Sequence, residues 1–305
     1  MVTFDGPLSA SAYELLGVDA TVSDDELRRA YRLRLRQTHP DTGGEAAVFV
    51  RVQRAWELVG TPAARAAYDR GRGETSWAQR RPAPGATGTR PRGRSHGQAG
   101  AWRRRRYRDL LADQLGHEVT DAEAYDPLIV RAASWEARRM LADALAEEAT
   151  AAAIDELGIG FTAWHDVATG EDDDAKLDHV VLSPTGLYGL VSEDFGGPVR
   201  FRQGEVIGSH VGDATPIGDL LAGMRIVARA ARVRFGGAIL ILPDDDLDDA
   251  VTPLGSVRGM PVVVVRRSAL RTVLRGGVPG ARVLGGNEAF DVRSRLTHSA
   301  RVLSP

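Results

Sequence analysis

Apolar residues recur at helical spacing through the first seventy positions and then give way to short β-rich runs in the second half, so the pattern predicts two modules of different architecture. Ser11 to Leu16 reads as a short helix ended by Gly17. Ser23, Asp24, Asp25 and Glu26 form a capping box, in which Ser23 and Glu26 satisfy each other's end-turn amides, and open a second helix running to about Thr38. On that helix Leu27, Ala30, Tyr31, Leu35 and Thr38 share one side, while Arg28, Arg29, Arg32 and Arg36 share the other. Pro40 stops it, because the residue before a proline is pushed out of helical geometry. Asp41 to Gly44 is turn material. Phe49, Val52, Ala55, Trp56 and Val59 then mark a third helix closed by Gly60, and Thr61 caps a short fourth helix with Pro62 at its first position.

Residues 73–101 have no apolar periodicity and are rich in Gly, Pro, Arg, Ser and Thr, which predicts a disordered basic linker. As a flexible coil it would span roughly 30 Å. Helical pattern resumes from Trp102 to Leu115 and again, Ala-rich, from Pro127 to about Leu157. Apolar runs at 177–182, 186–191, 238–242 and 261–265 read as strands, and 215–235 and 267–275 as helices, so residues 102–305 are expected to form an α/β or α+β domain.

Charge sharpens this division. Residues 1–70 carry 9 Arg against 10 acids, residues 71–108 carry 11 Arg against 1 acid, and the remainder carries 19 basic residues against 30 acids. Only the tether therefore invites an electrostatic partner such as nucleic acid. The chain has no cysteine, which excludes disulfides, thiol catalysis and thiolate zinc sites. The same absence points to the reducing cytosol, and no apolar stretch approaches the length that crosses a bilayer, so the expectation is a cytoplasmic protein without a membrane partner.

The segments SAYELLGV, LRRAYRLRLRQTHPDTGG and FVRVQRAWELVGTPAARAAYDRG, in that order, resemble the J-domain family from its first helix to its fourth. The resemblance implies an all-α domain over residues 1–72, a helical hairpin with two short flanking helices, that docks on a DnaK-type chaperone. Arg28, Arg29, Arg32 and Arg36 would make the docking face, and His39, Pro40 and Asp41 would trigger ATP hydrolysis. Physically, Pro40 fixes the loop backbone and Asp41 can accept a charge-assisted hydrogen bond from a partner arginine. Arg34 departs from the family pattern, standing where an apolar core residue is usual.

The segment AKLDHVVLSPTGLYGLVSEDFGGPVRFRQG resembles the nuclease-related domain, which implies a PD-(D/E)xK-type core with a mixed sheet flanked by helices. Carried over by position, Asp178 matches the metal-binding Asp, Val191 stands where the family has Glu, and Glu193 replaces Lys. Asp178 and Glu193 are left as residual ligands for a weakly held magnesium ion, with no other cofactor implied. The expected function is thus a co-chaperone, not an enzyme, whose nuclease-like domain targets a client protein or nucleic acid. The alternatives are a metal-dependent nuclease or a nucleic-acid-binding adaptor. Other candidates are weaker. The acidic runs 171–174 and 244–246 lack calcium-loop spacing, His165, His179 and His210 lack metal-ligand spacing, and Ser192 and Ser209 lack a nucleophile elbow. The run from Trp102 to Arg108 could grip phosphates or stack on bases, or simply be an exposed helix start.

Overall fold

The computed structural model describes residues 8, 12–19, 21–39, 44, 46–73, 93–170, 175–208 and 211–303. They fall into two units, one of residues 1–84 with 120–132 and one of residues 85–119 with 133–305. Among the described residues no helix is long and apolar enough to cross a membrane.

The first unit opens with four helices: α1 (Ala12–Leu16), α2 (Asp24–Thr38), α3 (Ala46–Val59) and α4 (Pro62–Gly73). The expected capping box is present, with the Ser23 amide donating to Glu26 at 2.9 Å and the Glu26 amide donating to the Ser23 hydroxyl at 3.3 Å. Thr61 caps α4 through the Ala64 amide at 3.2 Å. Tyr13, Leu16, Leu27, Val52, Ala55 and Val59 are buried together, and the rings of Tyr31 and Trp56 stack 4.5 Å apart across the α2–α3 hairpin. Arg65 ties α4 to the start of α2, donating to Asp24 at 2.7 Å and to the Val22 carbonyl at 2.6 Å. Arg34 stays out of this core. Its guanidinium reaches over to the Leu15 carbonyl at 3.2 Å, which satisfies an open carbonyl at the end of α1. Two short helices, α6 (Asp121–Ala124) and α7 (Pro127–Ala132), also belong to this unit. The Ala-rich stretch expected as one helix from Pro127 is therefore broken, because Ser134 caps a new start by accepting from the Ala137 amide at 3.1 Å.

The second unit is a seven-stranded mixed sheet in the order β1-β2-β3-β4-β7-β9-β8. Its strands are β1 (Arg94–His96), β2 (Thr162–Ala168), β3 (Lys176–Ser183), β4 (Gly186–Ser192), β7 (Gly237–Leu242), β8 (Val251–Val257) and β9 (Met260–Arg266), with a separate hairpin of β5 (Arg200–Arg202) and β6 (Glu205–Ile207). β2, β3 and β4 form an antiparallel meander, and β4, β7 and β9 run parallel. On one face α9 (Pro216–Ala231) and α11 (Gly286–Ser299) cover Trp164, Val180, Leu240 and Val264. On the other, Ile154 of α8 (Trp135–Asp155) and Leu270, Val273 and Leu274 of α10 (Leu270–Gly276) cover Val181, Leu190, Ile239 and Val263. Helix α5 (Ala101–Leu115) packs on α8. Strands β4, β7 and β9 read as largely apolar runs because both faces are covered.

The structure departs from the sequence reading at the linker boundary. Residues 74–92 lie outside the described residues, but Arg94 to His96 pair in parallel with Thr162 to Trp164, and the Arg94 amide donates to the Phe161 carbonyl at 3.0 Å. An edge strand held by its backbone needs no apolar signature, so composition alone assigned these residues to the tether.

Candidate functional site

In the first unit, α2 presents Arg28, Arg29, Arg32 and Arg36 on its exposed side, as the wheel predicted. Arg28 is paired loosely with Asp25 at 3.8 Å, both side chains more than half exposed, so the stripe keeps its positive field. Leu33 lies beside it and is 59% exposed, an apolar contact point that the charge pattern had masked. His39 ends α2 in an extended conformation with φ −65° and ψ 131°. Its ring meets Phe49 edge-on at 4.9 Å, and its carbonyl accepts from the Gly44 amide at 3.0 Å. At Gly44 a Cβ would lie 2.2 Å from the Thr38 carbonyl carbon, so only glycine fits there. Pro40 and Asp41 lie outside the described residues.

In the second unit the residual metal pair is brought together, but around a protein cation. Nη2 of Arg103 lies 3.1 Å from Glu193 and 3.8 Å from Asp178. The same guanidinium donates to Glu147 at 2.6 Å and to Asp143 at 2.9 Å. Arg139 bridges Asp143, at 2.8 Å, to Glu193. Lys176 sits 2.6 Å from Glu147, 2.9 Å from Asp178 and 2.7 Å from Asp166. The backbone completes the shell: Ser192 donates to Asp178 at 2.8 Å, Asp194 to Asp143 at 3.0 Å, Trp102 to Asp166 at 3.0 Å and Gly100 to Glu147 at 3.0 Å. Gly100 matters here because its φ is +74° and a Cβ would meet the Ala144 carbonyl at 2.7 Å, so glycine lets α5 start close enough to α8 for Arg103 to enter. Val191 points elsewhere, into the apolar cluster under α9. Asp178 and Glu193 therefore share Arg103, and the basic run from Trp102 spends Arg103 on this cluster and Arg104 on Glu148 at 2.7 Å instead of presenting them to phosphate.

Five carboxylates face three cations in this cluster. Burial would raise the Asp178 carboxyl, but Lys176 and Arg103 outweigh it and hold that group well below the usual carboxylate range. Burial pushes Asp143 up to about 7, helped by the neighbouring Glu193 charge. Burial and the Asp178 charge likewise raise Glu147. Burial opposes the Lys176 charge, yet Asp178, Glu147 and Asp166 raise its pKa. Next to the cluster, His165 and His179 face each other across β2 and β3 with their Nδ1 atoms 2.7 Å apart. Burial lowers each to about 3, so both rings are neutral and one donates to the other. His210, Ser209 and residues 171–174 lie outside the described residues. Among the described residues no group of three or more histidines and carboxylates is arranged to hold a metal ion.

Residues 11–69 match the family described as DnaJ domain. The chain is 41% identical over 66 residues to chaperone protein DnaJ 1 of Cutibacterium acnes, an alignment covering 21% of this chain and 17% of that protein. It is 42% identical over 65 residues to chaperone protein DnaJ of Rippkaea orientalis, covering 20% and 17%, and 44% identical over 61 residues to chaperone protein DnaJ of Thermosynechococcus vestitus, covering 19% and 16%. The chain thus spans less than a fifth of the length of these curated relatives. No solved structure matches it. Residues 11–69 are a DnaJ domain, helical throughout its described elements, and a separate mixed-sheet domain follows.

Proposed function

We propose that this protein is a co-chaperone: its DnaJ domain binds a DnaK-type chaperone through the arginine face of α2, and His39, Pro40 and Asp41 stimulate ATP hydrolysis. The observation that carries the reading is the DnaJ-domain match over residues 11–69, with His39 held at the end of α2 beside that face. The J-protein then acts as an allosteric effector with no covalent chemistry of its own. A one-signed exposed face acts mainly on encounter. Arg28→Ala combined with Arg32→Ala is therefore expected to slow association with an ATP-loaded DnaK-type chaperone about tenfold at low salt, with dissociation little changed. High salt should slow the unaltered protein to the same level. Surface plasmon resonance at two ionic strengths checks this, and association rates insensitive to both changes would remove the steering argument.

The second domain is read as a nuclease-like fold that has exchanged metal chemistry for internal ion pairing and serves to target a client protein or nucleic acid. The support lies in Arg103, which supplies the positive charge between Asp178 and Glu193, and in Val191, which offers no ligand. A divalent cation does not fit beside a guanidinium and an ammonium already pairing Asp178. The expected result is no cleavage of plasmid or single-stranded nucleic acid with magnesium or manganese. Metal-dependent cutting that disappears in an Asp178→Ala control would make the nuclease reading the right one. Binding without cutting, lost on deletion of residues 74–92, would instead favour the adaptor.

A further inference from the structure

Away from the charge cluster, the second domain carries a cavity of about 300 Å³ between the C-terminal half of α9 and the β8–β9 turn. Its floor is apolar, formed by buried Leu221, Met224, Val233 and Phe235 with half-buried Met260. Its rim is cationic. Arg225, Arg234 and Arg258 all line the cavity, are exposed, and have no hydrogen-bond or ion-pair partner among the described residues. By contrast, residues 109–305 hold 30 acids against 19 basic residues, and in the same domain Arg103, Arg139 and Lys176 are each matched to carboxylates.

A second observation points to the same place. Arg258 and Gly259 form the two-residue turn between β8 and β9, with φ +51° and +82°. Both positions of such a turn favour Gly, Asn or Asp, and a long side chain at positive φ is disfavoured by roughly 1–2 kcal/mol. Arginine there works against local conformational preference while placing a third guanidinium over the cavity.

We infer that this cavity is a binding site for the carboxyl terminus of a polypeptide ending in a large apolar residue. The apolar floor has room for one or two large side chains, at the low end of the roughly 300–1,000 Å³ typical of small-molecule pockets. The arginines would take the terminal carboxylate, for which a planar guanidinium is the best-matched donor. The rest of the peptide would leave through the open side. This inference does not depend on the co-chaperone reading.

The test uses the full-length protein and a fluorescent hexapeptide ending in leucine, as free acid and as C-terminal amide, followed by anisotropy, with octanoate as competitor. The free acid is expected to bind at least tenfold more tightly than the amide. Arg234→Gln with Arg258→Gly is expected to remove that difference. Because both side chains are exposed, the double variant keeps its fold, and glycine at 258 suits the turn, so thermal unfolding reports any loss of structure separately. Equal binding of acid and amide, binding unaffected by the double variant, or binding of octanoate without the peptide would each overturn the inference.

Discussion

Arg103→Met is expected to destabilise the mixed-sheet domain by about 3–5 kcal/mol, because it strands buried carboxylates that now share one guanidinium. The side chain is only 12% exposed, and it faces Asp143, Glu147, Asp178 and Glu193 together. Methionine fills similar volume, so the loss would reflect charge left unpaired more than a cavity. The carboxylates would answer by binding further protons, which limits the damage at low pH and leaves it largest above neutrality. Arg282→Ala is the control. That residue pairs with Glu288 at 2.6 Å with both side chains at least 40% exposed, and such surface pairs contribute about 0–1 kcal/mol. Urea unfolding followed by tryptophan fluorescence at pH 8 measures both. A cost for Arg103→Met no greater than that for Arg282→Ala would show that the cluster is not holding the domain together.

The local signals in the chain translated directly into structure. Ser23 with Glu26, Thr61 with Ala64, and the two-sided wheel of α2 each act within one or two helical turns, so spacing alone specifies them. The buried strands β4, β7 and β9 were equally plain, since burial on both faces makes them largely apolar runs, and β3 was legible from Val180, Val181 and Leu182 despite Lys176, Asp178 and His179. β2 was not, because Thr162 to Ala168 contains His165 and Asp166, whose partners lie on β3. β8 carries Pro253 and Gly255 at an irregularity in its pairing, which an edge strand tolerates and a propensity rule rejects. The charge cluster was the least legible feature. Arg103 and Glu193 are 90 residues apart, and nothing in either local context says that one will neutralise the other. Asp178 and Glu193 were singled out by the resemblance to the nuclease-related domain, whereas the arginine between them belongs to a segment that looked like a solvent-facing basic helix start.

The central claim rests on His39 at the end of α2, and His39→Gln separates its chemistry from its packing. His39 is half-buried against Phe49, and glutamine at this position removes the imidazole while leaving the helix and its neighbours intact. The direct measurement is the steady-state ATPase rate of a DnaK-type chaperone with increasing amounts of the full-length protein or its His39→Gln variant, with helical content of the two compared by circular dichroism. The account predicts a saturable rise in ATP hydrolysis with the unaltered protein and none with the variant at equal helicity. Equal stimulation by both proteins, or none by either, would contradict it.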